Sequence, residues 1–450
     1  MAICSTNPTP WPWAPLAGHW ARTLGISLAL LVTFTLAQVP HAHAKSGASA
    51  AYKKQVEQAF AMWVSQLRGD AQARGVSNET FNEAMKGVKI DWSLPDVIYP
   101  NLGPDAPAPP RNKKQDRQQA EFARPSSYFS NRSISQMAKI GRKRLGTWKE
   151  TLGKIEEQYG VQKNVVLAIW GRETGYGGAK IPHYAVRALA TQGFIGRRKE
   201  QFREELLLAL EILQAGHVSR KKMASSWAGA MGHTQFLPSH FNKFAVDFNG
   251  DGRRDIWGTI PDALASTANH LRQNGWQPGK AWGYEIRLPK GFDCTLEGPD
   301  NARPISEWAD LGITRTRKRE FRDDRLQETA FLVLPAGTKG PAFLALNNFA
   351  VIKTYNKADL YALYVGHLAD RIYDDRVFEG RWSKLASLRR SEVKRLQEQI
   401  AQSGIDVGKI DGLMGAKTRA AVGAYQKQLG QKPTCYPSRA LLKNVKSASN

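Results

Sequence analysis

Apolar residues recur at helical spacing along most of this 450-residue chain. Within residues 50–90, for example, Val56, Phe60, Trp63 and Leu67 would share one face of a helix. The same spacing predicts helices over 133–160, 200–215, 261–274 and 358–373, and alternation of apolar with polar residues predicts short strands at 283–289 and 328–335. We therefore expect a mostly α fold with minor β content.

One predicted helix is apolar on every side. The run Val165–Trp170 has no polar face, which indicates a helix buried in the core. Glu173 follows it, in the sequence Trp-Gly-Arg-Glu-Thr-Gly-Tyr-Gly-Gly. Because a carboxyl group at the end of a buried helix loses hydration, we expect its pKa to rise toward neutrality, where it can act as a general acid. A buried glutamate paired with a basic residue is the alternative that the residues alone leave open.

The N-terminal residues predict an exported protein. Arg22 precedes an apolar run over Leu24–Ala37, and the tripeptide Ala-His-Ala follows at 42–44, which together form the three parts of a secretory signal. The apolar run of about 14 residues is shorter than the ~20 that a transmembrane helix needs. We therefore expect residues 1–44 to be a leader that is cleaved after Ala44, with the mature protein in the periplasm and no stable membrane span. An uncleaved anchor is the alternative.

The charge of the chain narrows the choice of partner. Lys and Arg outnumber Asp and Glu by 64 to 40, which gives a formal net charge of +24. A chain this basic attracts nucleic acid, an anionic membrane face or another anionic polymer. Export argues against nucleic acid and leaves an anionic polymer outside the cytoplasm as the expected partner.

Composition also divides the mature chain. Residues 100–114 are rich in proline and then basic, which is typical of a loop. After Trp382 the composition changes to a short basic segment with the pattern of three helices. We therefore expect a larger domain over 45–385 and a small module over 386–450. Cys294 and Cys435 could pair in an oxidising compartment, but the sequence leaves that pairing open.

Two further segments offer groups that suit a sugar ligand. In Ser-Ser-Trp-Ala-Gly-Ala-Met-Gly-His-Thr-Gln-Phe-Leu-Pro, Ser226, His233 and Gln235 are neutral hydrogen-bonding groups, although a tightly packed Gly/Ala helix contact is the alternative. The apolar, strand-like run that starts at Asn347 ends in Tyr355 and Asn356, with Tyr361 close behind it. Tyrosines near a cleft can stack on sugar rings, and they can equally fill a core.

An acidic loop has half of a calcium-binding pattern. Asp247, Asn249 and Asp251 occupy the first ligand positions of an EF-hand-like loop, and Asp255 occupies position nine. Position twelve, where a bidentate glutamate belongs, is Gly258. A loop held by its own hydrogen bonds is therefore the alternative to a calcium site.

Taken together, these stretches resemble the lytic murein transglycosylase B family over about Glu121–Arg371. The residues that carry the resemblance are Ala-Ile-Trp-Gly-Arg-Glu-Thr, Trp-Ala-Gly-Ala-Met-Gly-His-Thr-Gln-Phe-Leu-Pro and Asp-Phe-Asn-Gly-Asp-Gly-Arg-Arg-Asp-Ile-Trp. Residues 386–450 resemble the small three-helix peptidoglycan-binding domain, with Asp411-Gly412 and Lys417-Thr-Arg-Ala-Ala-Val as its signature.

The resemblance implies a lysozyme-like catalytic domain and a lyase that acts on peptidoglycan glycan strands. Such an enzyme cleaves the bond from N-acetylmuramic acid to N-acetylglucosamine without water and leaves a 1,6-anhydro end. It implies a monomer that needs no cofactor, with a structural calcium as a prediction for the acidic loop. A non-catalytic peptidoglycan-binding protein and a hydrolytic muramidase are the alternatives. The residue roles it implies are catalysis for Glu173, substrate binding for Ser226, Gln235, Tyr355, Asn356 and Tyr361, and calcium binding for Asp247, Asn249, Asp251 and Asp255.

Overall fold

The fold is described for residues 48–101, 122, 124–383, 385 and 388–442 of a computed structural model. The predicted leader 1–44 and all but the first two residues of the Pro-rich stretch 100–114 lie outside these residues. The helices are α1 (Ala50–Ala73), α2 (Asn78–Met85), α3 (Pro125–Tyr128), α4 (Asn131–Thr147), α5 (Lys149–Tyr159), α6 (Lys163–Thr174), α7 (Ala185–Ile195), α8 (Lys199–Gln214), α9 (Pro238–Phe244), α10 (Ile260–Gln273), α11 (Ile305–Asp310), α12 (Asn347–Tyr355), α13 (Asp359–Asp374), α14 (Arg390–Gln402) and α15 (Ala416–Gln428). The strands are β1 (His183–Tyr184), β2 (Ala224–Ser225), β3 (Gly283–Arg287), β4 (Arg303–Pro304), β5 (Thr314–Arg315), β6 (Thr329–Val333), β7 (Pro335–Thr338) and β8 (Ala342–Ala345).

The prediction of a mostly α fold with minor β content is confirmed. Strands β3 and β6 lie inside the two segments whose alternation predicted them, and α8, α10 and α13 match the predicted helices closely. The helical stretch 133–160 is divided into α4 and α5 at Trp148. No helix of the described residues is long and apolar enough to cross a membrane.

Helix α6 lies at the centre of the largest apolar cluster. Its residues from Val165 to Gly171 are all buried, as the apolar run predicted, so the helix has no solvent-facing side over this stretch. Helices α4 and α13 pack on it, and α10 contacts it as well. A second cluster joins α1, α2, α7 and α8. The end of α6 is therefore held by elements that come from distant parts of the chain.

An antiparallel sheet sets the position of α12 and α13. Its strands lie in the order β4-β6-β8-β3-β5, with Gly283 opposite Ala345 and Phe331 opposite the same residue on the other side. Strand β8 is buried along its whole length, as expected for a central strand, and it leads directly into α12.

The strand-like reading of the run from Asn347 to Asn356 is wrong, because residues Asn347–Tyr355 form α12. A short apolar run fits a buried strand and a buried helix equally well. Here Asn348 is fully buried, and its side chain bonds to the backbone of Gln277 and Lys280, which fixes the first turn of the helix.

The C-terminal module has its own apolar cluster, built mainly from α14 and α15. Residues 439–442 are also helical, which agrees with the start of the predicted third helix, and the rest of that helix lies outside the described residues. A disulfide joins Cys294 to Cys435 with a Cα–Cα distance of 6.0 Å, so the pairing that the sequence left open is present. The module is thus covalently tied to the segment between β3 and β4.

Candidate active site

Glu173 lies in the last turn of α6 and is half-buried. Gly175 ends the helix in the left-handed conformation, with φ of +57°, which glycine adopts without the steric penalty of a side chain. Because the preceding turns are buried on all sides, the backbone that carries Glu173 is fixed. The negative end of the helix dipole also points to this turn and disfavours a further negative charge there.

Two stacked tyrosines lie behind the carboxyl group. The hydroxyl of Tyr361, at the start of α13, donates a hydrogen bond to Oε1 of Glu173. Tyr361 is only 2% exposed, and its ring stacks on that of Tyr355 with centroids 6.5 Å apart. The Tyr355 hydroxyl donates to the carbonyl of Thr234 at 2.9 Å. Burial, followed by the charge of Glu173, raises the pKa of both tyrosines well above the ordinary value, so both remain neutral donors.

His233, which the sequence suggested as a hydrogen-bonding group for a sugar, makes hydrogen bonds to other residues of the protein. The indole Nε1 of Trp170 donates to Nδ1 of His233 at 3.2 Å, and the backbone N–H of His233 donates to the carbonyl of Ile256 at 2.8 Å. Burial lowers the pKa of His233, which favours the neutral imidazole that this acceptor role needs. A Cβ at Gly177 would lie 2.6 Å from the imidazole Cε1, so the turn after α6 passes directly against His233.

Ser226 and Gln235 lie in the loop that supplies His233 and Thr234. The Ser226 hydroxyl accepts backbone N–H bonds from Ala228 and Ala230 at 3.4 and 3.2 Å, and this closes a turn. Gln235 adopts a positive φ of 52°, and its amide nitrogen donates to the carbonyl of Gly232 at 3.0 Å. Both side chains are half-buried and hold the loop in shape, so their contact with substrate remains a prediction.

Asn356 connects the two helices of the tyrosine pair. It follows α12 directly, and its side-chain oxygen accepts the N–H of Ala358, the residue before α13, at 3.1 Å. The structure thus brings Tyr355 and Tyr361 to Glu173 and places Asn356 at the joint between their helices. Tyr361 is buried and donates a hydrogen bond to Glu173, and its predicted contact with the sugar remains a prediction.

The acidic loop is held by its own hydrogen bonds. Asp247 accepts three backbone N–H groups of the loop, from Gly250, Asp251 and Gly252, at 2.7 to 3.1 Å. Asp255 accepts two more, from Trp257 and Gly258. These bonds agree with the alternative to a calcium site, which was a loop held by hydrogen bonds from its own side chains.

The side-chain oxygens of this loop accept hydrogen bonds from its own backbone. Among the described residues, no group of three or more His, Cys, Asp or Glu side chains converges closely enough to hold a metal ion. The oxygens of Asn249 and Asp251 accept backbone N–H groups within the loop. Asp262, which the sequence patterns did not indicate, is fully buried and accepts the N–H groups of Phe248 and Asp255, so it anchors the loop from outside.

Comparison with known protein families gives two matches. Residues 59–370 match the transglycosylase SLT domain, and residues 389–443 match the peptidoglycan binding domain. The first match covers well over half of the chain and includes Glu173, both tyrosines and the acidic loop. The second covers the C-terminal module.

Individual relatives agree with these matches. Membrane-bound lytic murein transglycosylase B of Escherichia coli is 32% identical over 236 residues, which is 51% of this chain and 62% of that protein. The chain therefore aligns with less than two thirds of the length of that curated relative. The crystal structure of SltB3 from Pseudomonas aeruginosa in complex with NAG-anhNAM-pentapeptide is 39% identical and covers 86% of this chain and 99% of that chain, with a TM-score of 0.77.

One relative is described with calcium. The structure of the Escherichia coli lytic transglycosylase Slt35 in complex with calcium is 27% identical and covers 58% of this chain and 80% of that chain. Its TM-score of 0.48 is too low for its metal to support a site here.

Proposed function

This chain belongs to the transglycosylase SLT domain family, and we propose that it is a lytic transglycosylase of peptidoglycan with Glu173 as its catalytic carboxyl group. The enzyme cleaves between N-acetylmuramic acid and N-acetylglucosamine and leaves a 1,6-anhydro end. The observation that carries the proposal is the arrangement of Glu173 at the end of a rigid helix, with the neutral Tyr361 hydroxyl on one carboxyl oxygen. The anhydro-muramyl ligand of the similar SltB3 supports the same reaction.

The proposed reaction has two steps and uses one carboxyl group. In the first, Glu173 donates its proton to the glycosidic oxygen, the C1–O bond breaks, and an oxocarbenium-like centre develops at C1. In the second, the carboxylate takes the proton of the C6 hydroxyl of the same sugar, and O6 bonds to C1. Water enters neither step, and Glu173 ends protonated as it began.

Tyr361 assists this exchange without itself losing a proton. Its hydroxyl donates to Oε1, and in the proposed reaction Oε2 carries the transferred proton. As the proton leaves Glu173, negative charge grows on the carboxyl group, and a hydrogen bond to a charged acceptor is stronger than one to a neutral acceptor. The contact is therefore worth more in the transition state than in the ground state.

The substrate and the cellular location follow as parts of the same proposal. Peptidoglycan glycan strands are the partner, supported by the match of residues 389–443 and by the net charge of +24. We propose a periplasmic monomer with its leader removed after Ala44. N-terminal analysis of the secreted protein would locate the cleavage, and an intact leader on that protein would contradict it.

A structural calcium in the acidic loop is kept as a separate proposal, and no step of the reaction uses it. Alternate oxygen-bearing side chains from Asp247 to Asp251 favour it, whereas Gly258 and the hydrogen bonds of the loop oppose it. If the loop binds calcium, Tm rises on adding the ion to chelator-treated protein and the rise is absent in Asp247→Asn. An unchanged Tm in the wild type would reject the site.

The test of the proposed function is digestion of purified sacculi by the wild type and by Glu173→Gln, with mass analysis of the released muropeptides. We expect anhydro-ended products from the wild type and none from the variant, at equal Tm. Hydrated reducing ends would instead identify a hydrolytic muramidase. No release by a folded wild type would identify a non-catalytic binding protein.

A further inference from the structure

A buried cluster of charges joins the C-terminal module to the rest of the protein. Arg419, on α15, is 3% exposed, and its guanidinium contacts Glu297 at 2.6 Å and Asp359 at 2.8 Å. Its Nε lies 3.1 Å from both oxygens of Glu297, and its Nη1 donates to the carbonyl of Met414. Charges removed from water are tolerated only when they are paired and hydrogen-bonded in this way. The cluster is therefore complete only while the module is docked in this position.

The charge states of the cluster fit this pairing. Burial raises the pKa of Glu297 to about 7, although Arg419 opposes the rise. Burial also acts to raise the pKa of Asp359, but the Arg419 and Lys353 cations together hold it below the ordinary value. The Arg419 cation therefore favours the charged form of both carboxylates.

Asp359 connects the cluster to the catalytic carboxyl group. It is the first residue of α13, and Tyr361, which bonds to Glu173, lies in the same turn. Its other carboxylate oxygen accepts Nζ of Lys353 at 2.7 Å, and Lys353 belongs to α12, the helix that carries Tyr355. The Asp359 carboxylate thus links the end of α12 to the start of α13, and one of its two cationic partners, Arg419, belongs to the module.

The module is held in this position by independent contacts. The disulfide from Cys294 to Cys435 crosses the same boundary, and the N–H of Thr338 donates to the carbonyl of Thr434 at 3.0 Å. A Cβ at Gly423 would lie 2.3 Å from the sulfur of Cys435, so α15 approaches the disulfide as closely as a glycine allows. These contacts exclude a module that swings freely on a tether.

We propose that Arg419 is a positioning residue of the catalytic site, through which the docked module sets the place of Tyr361 on Glu173. The proposal rests on the proposed function of Glu173, and it adds a role for the module in the chemical step besides any binding of the wall. Displacement of a catalytic contact by about 1 Å can cost on the order of 100-fold in rate. Loss of the Arg419 contact to Asp359 should therefore lower kcat and leave KM largely unchanged.

The main variants remove the cation in two ways. Arg419→Met leaves two buried carboxylates facing each other and is the more destabilising change. The double variant Arg419→Met with Glu297→Gln removes the charge of both partners, and it leaves Asp359 paired with Lys353. Arg419→Lys keeps the charge but loses the planar fork that reaches two carboxylates at once. A folded Lys variant therefore tests the geometry alone.

A matched control lies on the same helix. Lys427 forms an ion pair with Asp293 at 2.8 Å across the same boundary, with both side chains almost half-exposed. Lys427→Met removes a cation from α15 without touching Asp359, and exposed ion pairs contribute little to stability. We expect its kcat to stay within about twofold of the wild type.

The assay uses soluble glycan strands freed of stem peptides, with sacculus binding measured separately. We expect kcat to fall by about tenfold or more in the Met variants and by less in Arg419→Lys, with KM and sacculus binding close to wild type. An unchanged kcat in any folded Arg419 variant, the Lys variant included, would overturn the proposal, as would a loss confined to sacculus binding. If the wild type itself releases no anhydro product, the proposed function fails instead.

Discussion

Replacement of Tyr361 by phenylalanine isolates one contact of the proposed site. The side chain is 2% exposed, and the variant keeps the ring that stacks on Tyr355 while it removes the hydroxyl that donates to Glu173. A hydrogen bond to a charged group contributes about 1.5–3 kcal/mol. Because this contact strengthens as Glu173 gives up its proton, the loss falls mainly on the transition state.

That free energy sets the expected rate. A loss of about 1.5–3 kcal/mol corresponds to a fall in kcat of roughly 10- to 150-fold. We expect KM to change little, since the buried hydroxyl does not face solvent. The assay is initial-rate release of anhydro products from soluble glycan strands, with the protein kept well below its Tm.

Tyr364→Phe is the matched control, because Tyr364 lies one turn further along α13 and is also buried. We expect this variant to keep a kcat near that of the wild type. A folded Tyr361→Phe with wild-type kcat, or with an effect on KM alone, would refute the reasoning. An equal loss of kcat in both variants would show that deleting either tyrosine hydroxyl of α13 lowers the rate, and it would contradict a specific role for Tyr361.

Further outcomes follow from packing and titration. Gly171→Ala places a Cβ 2.6 Å from the ring of Tyr176, so we expect denaturant unfolding to show a destabilisation of about 1–3 kcal/mol. Gly153→Ala is the control, because a Cβ there has no neighbour within 4 Å and should stabilise α5 slightly. Equal stabilities of the two variants would contradict this prediction. Burial raises the pKa of Asp370 from 3.8 to about 7, so its ionisation costs stability as pH rises through that interval. Asp370→Asn keeps an acceptor for the indole N–H of Trp282 and cannot ionise, so it should reduce the fall in Tm from pH 4 to pH 7. Parallel curves of Tm against pH for the wild type and the variant would contradict this prediction.

The sequence pattern predicted the helices and strands whose own apolar residues follow a regular spacing. Helix α6 was predictable because Val165–Trp170 is apolar on all sides, and strand β6 because its residues alternate. The run at Asn347 was misjudged because a few apolar residues fit a helix and a strand alike. The contacts of Asn348 with the segment from Gln277 decide between them, and these lie about 70 residues away along the chain.

The sequence indicated Glu173 as the candidate catalytic residue, but it did not indicate the contacts that hold this residue in place. Glu173 has a local signal, a carboxyl group at the end of an apolar run. The hydrogen bond from Tyr361 to Glu173 joins residues that are 188 positions apart, so the sequence did not show it. Arg419 lies in the signature by which the module resembles peptidoglycan-binding domains, but the sequence does not show its partners Glu297 and Asp359, which lie 122 and 60 residues away. Tertiary packing, which no spacing rule describes, creates each of these contacts.

The central claim is that the C6 hydroxyl of the sugar, deprotonated by Glu173, attacks C1 in place of water. Labelling with heavy oxygen tests this claim most directly. Sacculi are digested in water enriched with oxygen-18, and the muramyl ends of the released products are analysed by mass spectrometry. The account predicts anhydro ends that carry no heavy oxygen from the wild type, and no such ends from Glu173→Gln. Muramyl ends that contain the heavy oxygen would show that water attacks C1, and they would contradict the account.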